Sequence, residues 1–204
     1  MNLDRDKLRE SPSQTAGPYV HIGCTPNFVG IGGIYPQDLG RTMVNARTKG
    51  ERIVVTGIAY DGGGEPLRDA LFEIWQADAR GLYNSPSESR GKADPDFSGW
   101  GRQPADLKSG EFRFETIKPG PVKRGDGTIE APHLTFWIAA RGINIGLQTR
   151  MYFPDEAAAN EKCPVLSAVM PARRRPTLIA RSIEGGYRFD IRIQGGEETV
   201  FFDL

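Results

Sequence analysis

Histidine is scarce in this chain, and only one of its two histidines lies in a recognisable sequence motif. His133 opens an apolar segment, whereas His21 lies outside any recognisable pattern. Tyr83 follows a Trp-Gln pair by a few residues and is the last residue of a Gly-Leu-Tyr motif. Imidazole and phenolate are donors that suit ferric iron, which prefers hard anionic oxygen supported by nitrogen. One tyrosine and one histidine supply too few donors and too little negative charge for a complete ferric site.

Five stretches resemble, in the same order, the iron-binding core of the intradiol ring-cleavage dioxygenases. Members of that family hold a ferric ion with two tyrosinates and two histidines. The first tyrosine follows a Trp-Gln and Gly-x-Tyr signature, the second follows Lys-Pro-Gly-Pro, and the histidines form a His-x-His pair. The matching stretches are Glu73–Tyr83, Asp94–Phe97, Phe112–Pro121, Ala131–Phe136 and Tyr187–Ile191.

The resemblance predicts that this chain retains only half of the family's iron ligands. The first tyrosine falls on Tyr83 and the first histidine on His133. The second tyrosine position is Val122, which has no donor atom, and the second histidine position is Thr135, whose hydroxyl is a poor ligand. We call these four positions the remnant site. We expect no metal ligand set and no catalytic residue in this chain alone.

Some members of this family consist of two kinds of chain, of which only one binds iron. Further segments of this sequence resemble the chain that does not bind iron. The resemblance then implies a beta chain that carries Fe(III), a closed αβ assembly, and the insertion of O2 between the two hydroxylated carbons of protocatechuate. The segments are Ser13–Tyr19, Ala139–Ile145, Cys163–Leu166 and Glu198–Leu204.

The same resemblance implies that an amino-terminal segment lines the substrate pocket of the partner. Its residues are Thr15, Ala16, Gly17 and Pro18. Glycine permits close backbone approach to a ring, proline stiffens the segment, and threonine offers a small hydrogen-bonding group. Arg141 is a candidate for binding the substrate carboxylate, since a guanidinium matches carboxylate geometry. An ion pair at a subunit interface is the other interpretation of Arg141.

Two other functions stay open at this stage. One is a self-sufficient dioxygenase with an altered ligand set of Tyr83, His133, His21 and water. The other is a β-sandwich used only for binding, because a fold does not fix a function.

The elements that must position these residues are mostly strands. Alternating or β-branched segments punctuated by Gly and Pro predict an all-β protein, a single β-sandwich domain of mostly antiparallel strands with long loops and short helices. We expect polar loops at 84–92 and 121–130, and helices at 155–161 and 177–181. The predicted strands are 52–60, 70–77, 112–116, 134–140, 148–153, 187–193 and 199–204.

Length and charge limit the remaining possibilities. A chain of 204 residues suits one domain, and we divide it into an irregular amino-terminal arm and cover at 1–50 and the sandwich at 51–204. The 26 basic residues balance the 26 acidic ones, so we expect no nucleic-acid partner. We see no secretory signal and no apolar stretch that could span a membrane, and we therefore expect a cytoplasmic protein.

Overall fold

Two β-sheets packed face to face form the body of the protein. A computed structural model describes residues 14–17, 19–144 and 146–203. Short helices accompany the strands, namely α1 (Tyr19–Cys24), α2 (Ala157–Lys162) and α3 (Pro164–Ala168). The strands are β1 (Arg52–Tyr60), β2 (Leu71–Trp75), β3 (Trp100–Pro104), β4 (Glu111–Ile117), β5 (Val122–Lys123), β6 (Ile129–Glu130), β7 (His133–Ala139), β8 (Leu147–Tyr152), β9 (Arg181–Ile183), β10 (Gly186–Arg188) and β11 (Ile191–Arg192).

The first sheet is centred on β1 and the second on the pair β2 and β7. In the first sheet β4 pairs antiparallel with β1, and β10 and β11 pair parallel with it. The second sheet is antiparallel throughout, in the order β3-β2-β7-β8. Strands β5 and β6 form a separate hairpin. The prediction of an all-β sandwich with mostly antiparallel strands is confirmed.

Aromatic side chains from both sheets fill the space between them. In β4, Phe112 and Phe114 are buried while the intervening Arg113 is exposed, as its period-two pattern predicts. Phe112 contacts Phe72 of the facing sheet with ring centroids 4.4 Å apart. Phe136 of β7 joins this cluster. Burying side chains of this size contributes about 1.5 to 3 kcal/mol each, so the cluster holds the two sheets together.

The strand predicted at 187–193 is interrupted in its middle. It divides into β10 and β11, and Asp190 between them turns its carboxylate onto the backbone N–H of Ile58, at 3.1 Å. At the same level Gly57 lies so close to the 189 carbonyl that a Cβ would stand 1.9 Å from that oxygen. Only glycine fits this close approach.

Other predicted elements were wrong in detail. The strand Trp100–Pro104 was not predicted, and residues 199–203 form no strand. The helix predicted at 177–181 is absent from that range, where a 3-10 segment, Ala172–Leu178, ends and β9 begins. The loop predicted at 121–130 contains the β5–β6 hairpin.

The amino-terminal arm is held together by one of its own carboxylates and is joined to the body by a backbone bridge. The Asp38 carboxylate accepts from the N–H groups of Asn27 and Phe28, at 2.8 and 2.9 Å. An isolated bridge joins Val44 to Phe97. The division at residue 50 stays a prediction. No helix among the described ranges is both long and apolar enough to cross a bilayer.

Candidate functional site

Three side chains in a row across the second sheet form the floor of the candidate site. In the ladder, Trp75 of β2 stands opposite Thr135 of β7, which stands opposite Arg150 of β8. The neighbouring residue Leu134 belongs to the core between the sheets, so the row lies on the outer face. His133 occupies the same outer face of β7, two residues from Thr135, and pairs with Tyr152.

Two close backbone contacts bring Tyr83 and Val122 to this face. Gly81, with φ of 79°, lies so near the Pro121 carbonyl that a Cβ would stand 1.9 Å from the oxygen. The N–H of Gly120 donates to the Asp78 carbonyl at 2.9 Å. Val122 then begins β5 and pairs with Glu130. The fold therefore still gathers the four remnant positions, even though two of them carry no usable ligand.

His133 and Tyr83 are held together as neutral groups. The histidine is 2% exposed, and its Nδ1 donates to the Ala131 carbonyl at 2.8 Å, which leaves a lone pair on Nε2. The Tyr83 hydroxyl lies 3.5 Å from that nitrogen. Burial, with Arg150 nearby, lowers the pKa of His133 to about 4, and burial raises the pKa of Tyr83 above its usual 10. At neutral pH these groups are an imidazole and a phenol.

A carboxylate and two guanidinium groups occupy the space beside His133. Glu130 places Oε2 3.5 Å from His133 Nε2 and 2.7 Å from Arg150 Nη1. Its other oxygen lies 3.2 Å from Arg124 Nη1. The ion-pair partners of Glu130 thus belong to this chain, and two of them are permanently cationic arginines. Such a network satisfies the buried carboxylate without a metal ion.

A second ion pair covers Tyr83 from the solvent side. The Glu88 carboxylate accepts from the Tyr83 backbone N–H at 3.0 Å and from Arg90 Nε at 2.8 Å. These hydrogen bonds from Arg90 lower the pKa of Glu88 to about 2. The Arg90 guanidinium lies 5.9 Å from the Tyr83 ring centroid and also donates to the Lys123 carbonyl. On its other side, Tyr83 stacks on Trp75 with centroids 5.7 Å apart.

The donor set does not fit a ferric ion. A ferric site of the kind that the resemblance implies needs two phenolates, but this site offers one tyrosine, Tyr83, and Val122 has no donor. The hydroxyl of Thr135 is a weak ligand. Within the described part of the chain, no group of three or more His, Cys, Asp or Glu residues could hold a metal ion.

His21, proposed as a third ligand in the self-sufficient alternative, is engaged in the arm. Its Nε2 lies 3.0 Å from the Asp69 carbonyl and its Nδ1 3.2 Å from the Thr25 hydroxyl. The ring is buried against Phe28, with centroids 5.9 Å apart. These contacts give His21 a structural role.

The predicted pocket-lining segment begins with a residue that is tied to the turn before β8. The Thr15 hydroxyl accepts from the Gly142 N–H at 2.7 Å and lies 3.4 Å from the Ala140 carbonyl. A Cβ on Gly17 would meet nothing within 4 Å. Ala16 is partly buried, and Pro18 lies outside the described residues.

Arg141 stands on the same turn as the partners of Thr15. Its side chain is 78% exposed, and its Nε lies 3.4 Å from Oδ2 of Asp69. The structure therefore brings Thr15 and Arg141 to one place on the surface. The ion pair lies within the chain, and it leaves most of the guanidinium accessible.

Sequence reasoning missed the two ion pairs that surround Tyr83 and His133. Glu130 stands three residues before His133, and this spacing was the only available signal. In the sequence, Arg150 is one polar residue of an ordinary strand. Only the pairing of β7 with β8 shows that it lies opposite Thr135. Glu88 and Arg90 fall in a loop that composition alone marks as solvent-facing.

Comparison with known proteins gives this arrangement a family context. The sequence profile of a family described as Dioxygenase matches residues 24–195. The chain is 46% identical over 201 residues to the protocatechuate 3,4-dioxygenase alpha chain of Pseudomonas putida, covering 97% of this chain and 98% of that protein. It is 38% identical over 176 residues to the beta chain from Burkholderia cepacia, covering 80% and 73%.

Solved structures agree on the fold. Hydroxyquinol 1,2-dioxygenase from Pseudomonas putida DLL-E4 superposes with a TM-score of 0.57 at 19% identity, covering 90% of this chain and 67% of that one. At this level of identity the likeness concerns the β-sandwich and not the chemistry of individual residues.

Proposed function

The chain belongs to the intradiol ring-cleavage dioxygenase family, and we propose that it acts there as the alpha subunit of a protocatechuate 3,4-dioxygenase. In this proposal a beta chain holds Fe(III) in a closed αβ assembly. The present chain completes the substrate pocket of that partner, and the complex cleaves protocatechuate with O2 to 3-carboxy-cis,cis-muconate.

The observation that carries the proposal is the incomplete donor set in a chain that is otherwise similar to an alpha chain along nearly its full length. Val122 and Thr135 replace two family ligands, and Glu130 binds Arg150 and Arg124 beside His133. A chain with this site needs the iron of another subunit to take part in ring cleavage.

The role of the arm in the shared pocket is supported by the geometry around Thr15. The hydrogen bond from Gly142 N–H fixes the start of the segment, so fewer conformations are lost when a partner and substrate bind. Gly17 has open space around its Cα, where a substrate ring or a partner side chain can approach. Pro18 extends the proposed segment.

Arg141 is the proposed contact for the substrate carboxylate. Its guanidinium is exposed beside the fixed start of the arm, and it can offer two parallel N–H donors to a carboxylate. Arg141 would therefore orient protocatechuate, while the chemistry takes place at the iron of the beta chain.

Purification of this chain alone and with a co-expressed beta chain tests the proposal. We expect the lone chain to be colourless and inactive, and the complex to be red, to contain one iron per αβ pair and to cleave protocatechuate. A lone chain with stoichiometric iron and a tyrosinate absorption band would instead establish a self-sufficient enzyme.

A binding module without catalytic involvement would give a third result. The complex, if it formed, would then have the same activity after deletion of residues 15–18 as before it. We expect the deletion to raise the KM for protocatechuate and to leave the iron content unchanged.

A further inference from the structure

We propose that Arg150 excludes metal ions from the remnant site, so that restoring the missing ligands alone would not restore iron binding. The proposal concerns the metal selectivity of this chain's own site. It rests on the family membership and on the contacts of Arg150, and it holds whether or not the chain completes a partner's pocket.

The first support is the position of Arg150 in the sheet. It stands directly opposite Thr135, which occupies the second histidine position, and both side chains lie on the outer face of the second sheet. Directly opposite residues in a sheet have Cβ atoms about 4.5 to 5.5 Å apart. An imidazole introduced at 135 would therefore meet the Arg150 side chain.

The second support is the way Arg150 is held. Its side chain is only 16% exposed, its Nη1 lies 2.7 Å from Glu130 Oε2, and its guanidinium lies 5.9 Å from the ring centroid of Phe202. The same Glu130 oxygen is 3.5 Å from His133 Nε2, the atom that would bind a metal. A partly buried guanidinium with a carboxylate on one side and a ring nearby has little freedom to move away.

The third support is charge. A guanidinium remains protonated at all relevant pH values, so its positive charge is permanent. It repels a cation placed at His133, and it neutralises Glu130, the carboxylate that lies next to the His133 ring. Arg150 thus supplies the positive charge that balances Glu130 and takes the place of a metal ion in that role.

The test compares the iron content of the full chain in three variants. V122Y/T135H restores the missing donor types and keeps Arg150, V122Y/T135H/R150Q also removes the guanidinium, and V122Y/T135H/R124Q is the matched control. Arg124 contacts the other oxygen of Glu130, but it is 45% exposed and comes from the β5–β6 hairpin. After loading with iron and gel filtration, we expect about tenfold more iron per chain in the R150Q variant than in the other two.

A second set of three variants leaves Val122 in place, because a tyrosine there enlarges a buried position. The dissociation constant for Co2+ is measured by titration calorimetry in T135H, T135H/R150Q and T135H/R150K. We expect R150Q to lower it by about tenfold or more and R150K, which keeps the charge, to leave it near the T135H value.

Either of two results would overturn the proposal. One is stoichiometric iron in V122Y/T135H with Arg150 present. The other is equal Co2+ affinity in T135H and T135H/R150Q when circular dichroism shows both to be folded. Neither result depends on ring cleavage by the αβ complex. The test of Arg150 is therefore independent of the test of the proposed function.

Discussion

The Thr15 hydroxyl accepts a hydrogen bond of 2.7 Å from the backbone N–H of Gly142, across 127 positions of the sequence. Gly142 has φ of 89°, a left-handed conformation that suits the tight turn between β7 and β8. The contact joins the start of the arm to the turn that carries Arg141. Two segments that the sequence analysis assigned separately to the substrate pocket therefore meet at one hydrogen bond.

Loss of this hydrogen bond should weaken substrate binding in the αβ complex. Thr15→Val keeps the shape of the side chain but removes the acceptor for Gly142 N–H. A lost hydrogen bond costs about 0.5 to 1.5 kcal/mol, so we expect the KM for protocatechuate to rise by about three- to tenfold. Steady-state kinetics and iron analysis of the reconstituted complex measure this. Thr15→Ser keeps the hydroxyl and is the control, and an equal KM in all three proteins would contradict the idea.

Removal of the Arg141 charge should also weaken substrate binding in the αβ complex. Arg141→Gln loses the paired donors for the substrate carboxylate, so we expect the KM for protocatechuate to rise by about tenfold or more with unchanged iron content. Arg181→Gln is the matched control, because Arg181 is also an exposed arginine that contacts one aspartate, Asp190. The KM for a catechol without the carboxylate should change little in either variant. An equal rise in the KM for catechol and for protocatechuate in Arg141→Gln would contradict a carboxylate contact.

Strands with strong local patterns were predictable from sequence. The β-branched segment 52–60 matches β1 residue for residue, and the alternation around Phe112 and Phe114 gave β4. Trp100–Pro104 was missed because its Gly, Arg, Gln and Pro residues carry no strand pattern, and its hydrogen bonds to β2 create it.

Some residues of the site could likewise be identified from local sequence motifs, whereas the role of others depends on contacts between distant segments. Tyr83 and His133 belong to local motifs, so the sequence indicated both, and the structure brings them together. The importance of Arg150 depends on the register of β7 against β8, and no single segment contains that register. The cover over Tyr83 likewise depends on how a loop folds back on itself.

Gln76 links the two sheets and should contribute strongly to stability. It is fully buried, its Nε2 donates to the Ile117 carbonyl at 2.9 Å, and its Oε1 accepts from the Thr116 hydroxyl at 2.7 Å. Gln76→Leu leaves both partners buried without hydrogen bonds, so we expect a loss of about 2 to 4 kcal/mol in the free energy of unfolding. Urea denaturation measures it.

The control for Gln76 is Gln103→Leu. Gln103 also donates from Nε2 to a carbonyl, that of Arg41 at 2.9 Å, but this hydrogen bond is exposed to solvent. We expect a change within about 0.5 kcal/mol. Similar losses in both variants would mean that the position of Gln76 between the sheets has no special importance.

The buried neutral state of His133 should make the protein less stable in mild acid. Its pKa is lowered from 6.5 to about 4 in the folded chain, chiefly by burial, so the unfolded chain binds more protons between these values. Stability from this residue is therefore complete above pH 6.5 and is lost as the pH falls toward 4. The full shift corresponds to about 3 kcal/mol. His133→Gln can still donate to the Ala131 carbonyl but cannot titrate.

Measurement of the free energy of unfolding by urea at pH 7 and pH 4.5 separates this effect from other titrating groups. We expect the wild-type chain to lose about 1 to 3 kcal/mol more than His133→Gln between the two pH values. The difference should appear in the chain alone, because the groups around the ring belong to it. Equal losses in the two proteins would show that His133 is already protonated in the folded state, paired with Glu130, and that the site is held by a different balance of charge.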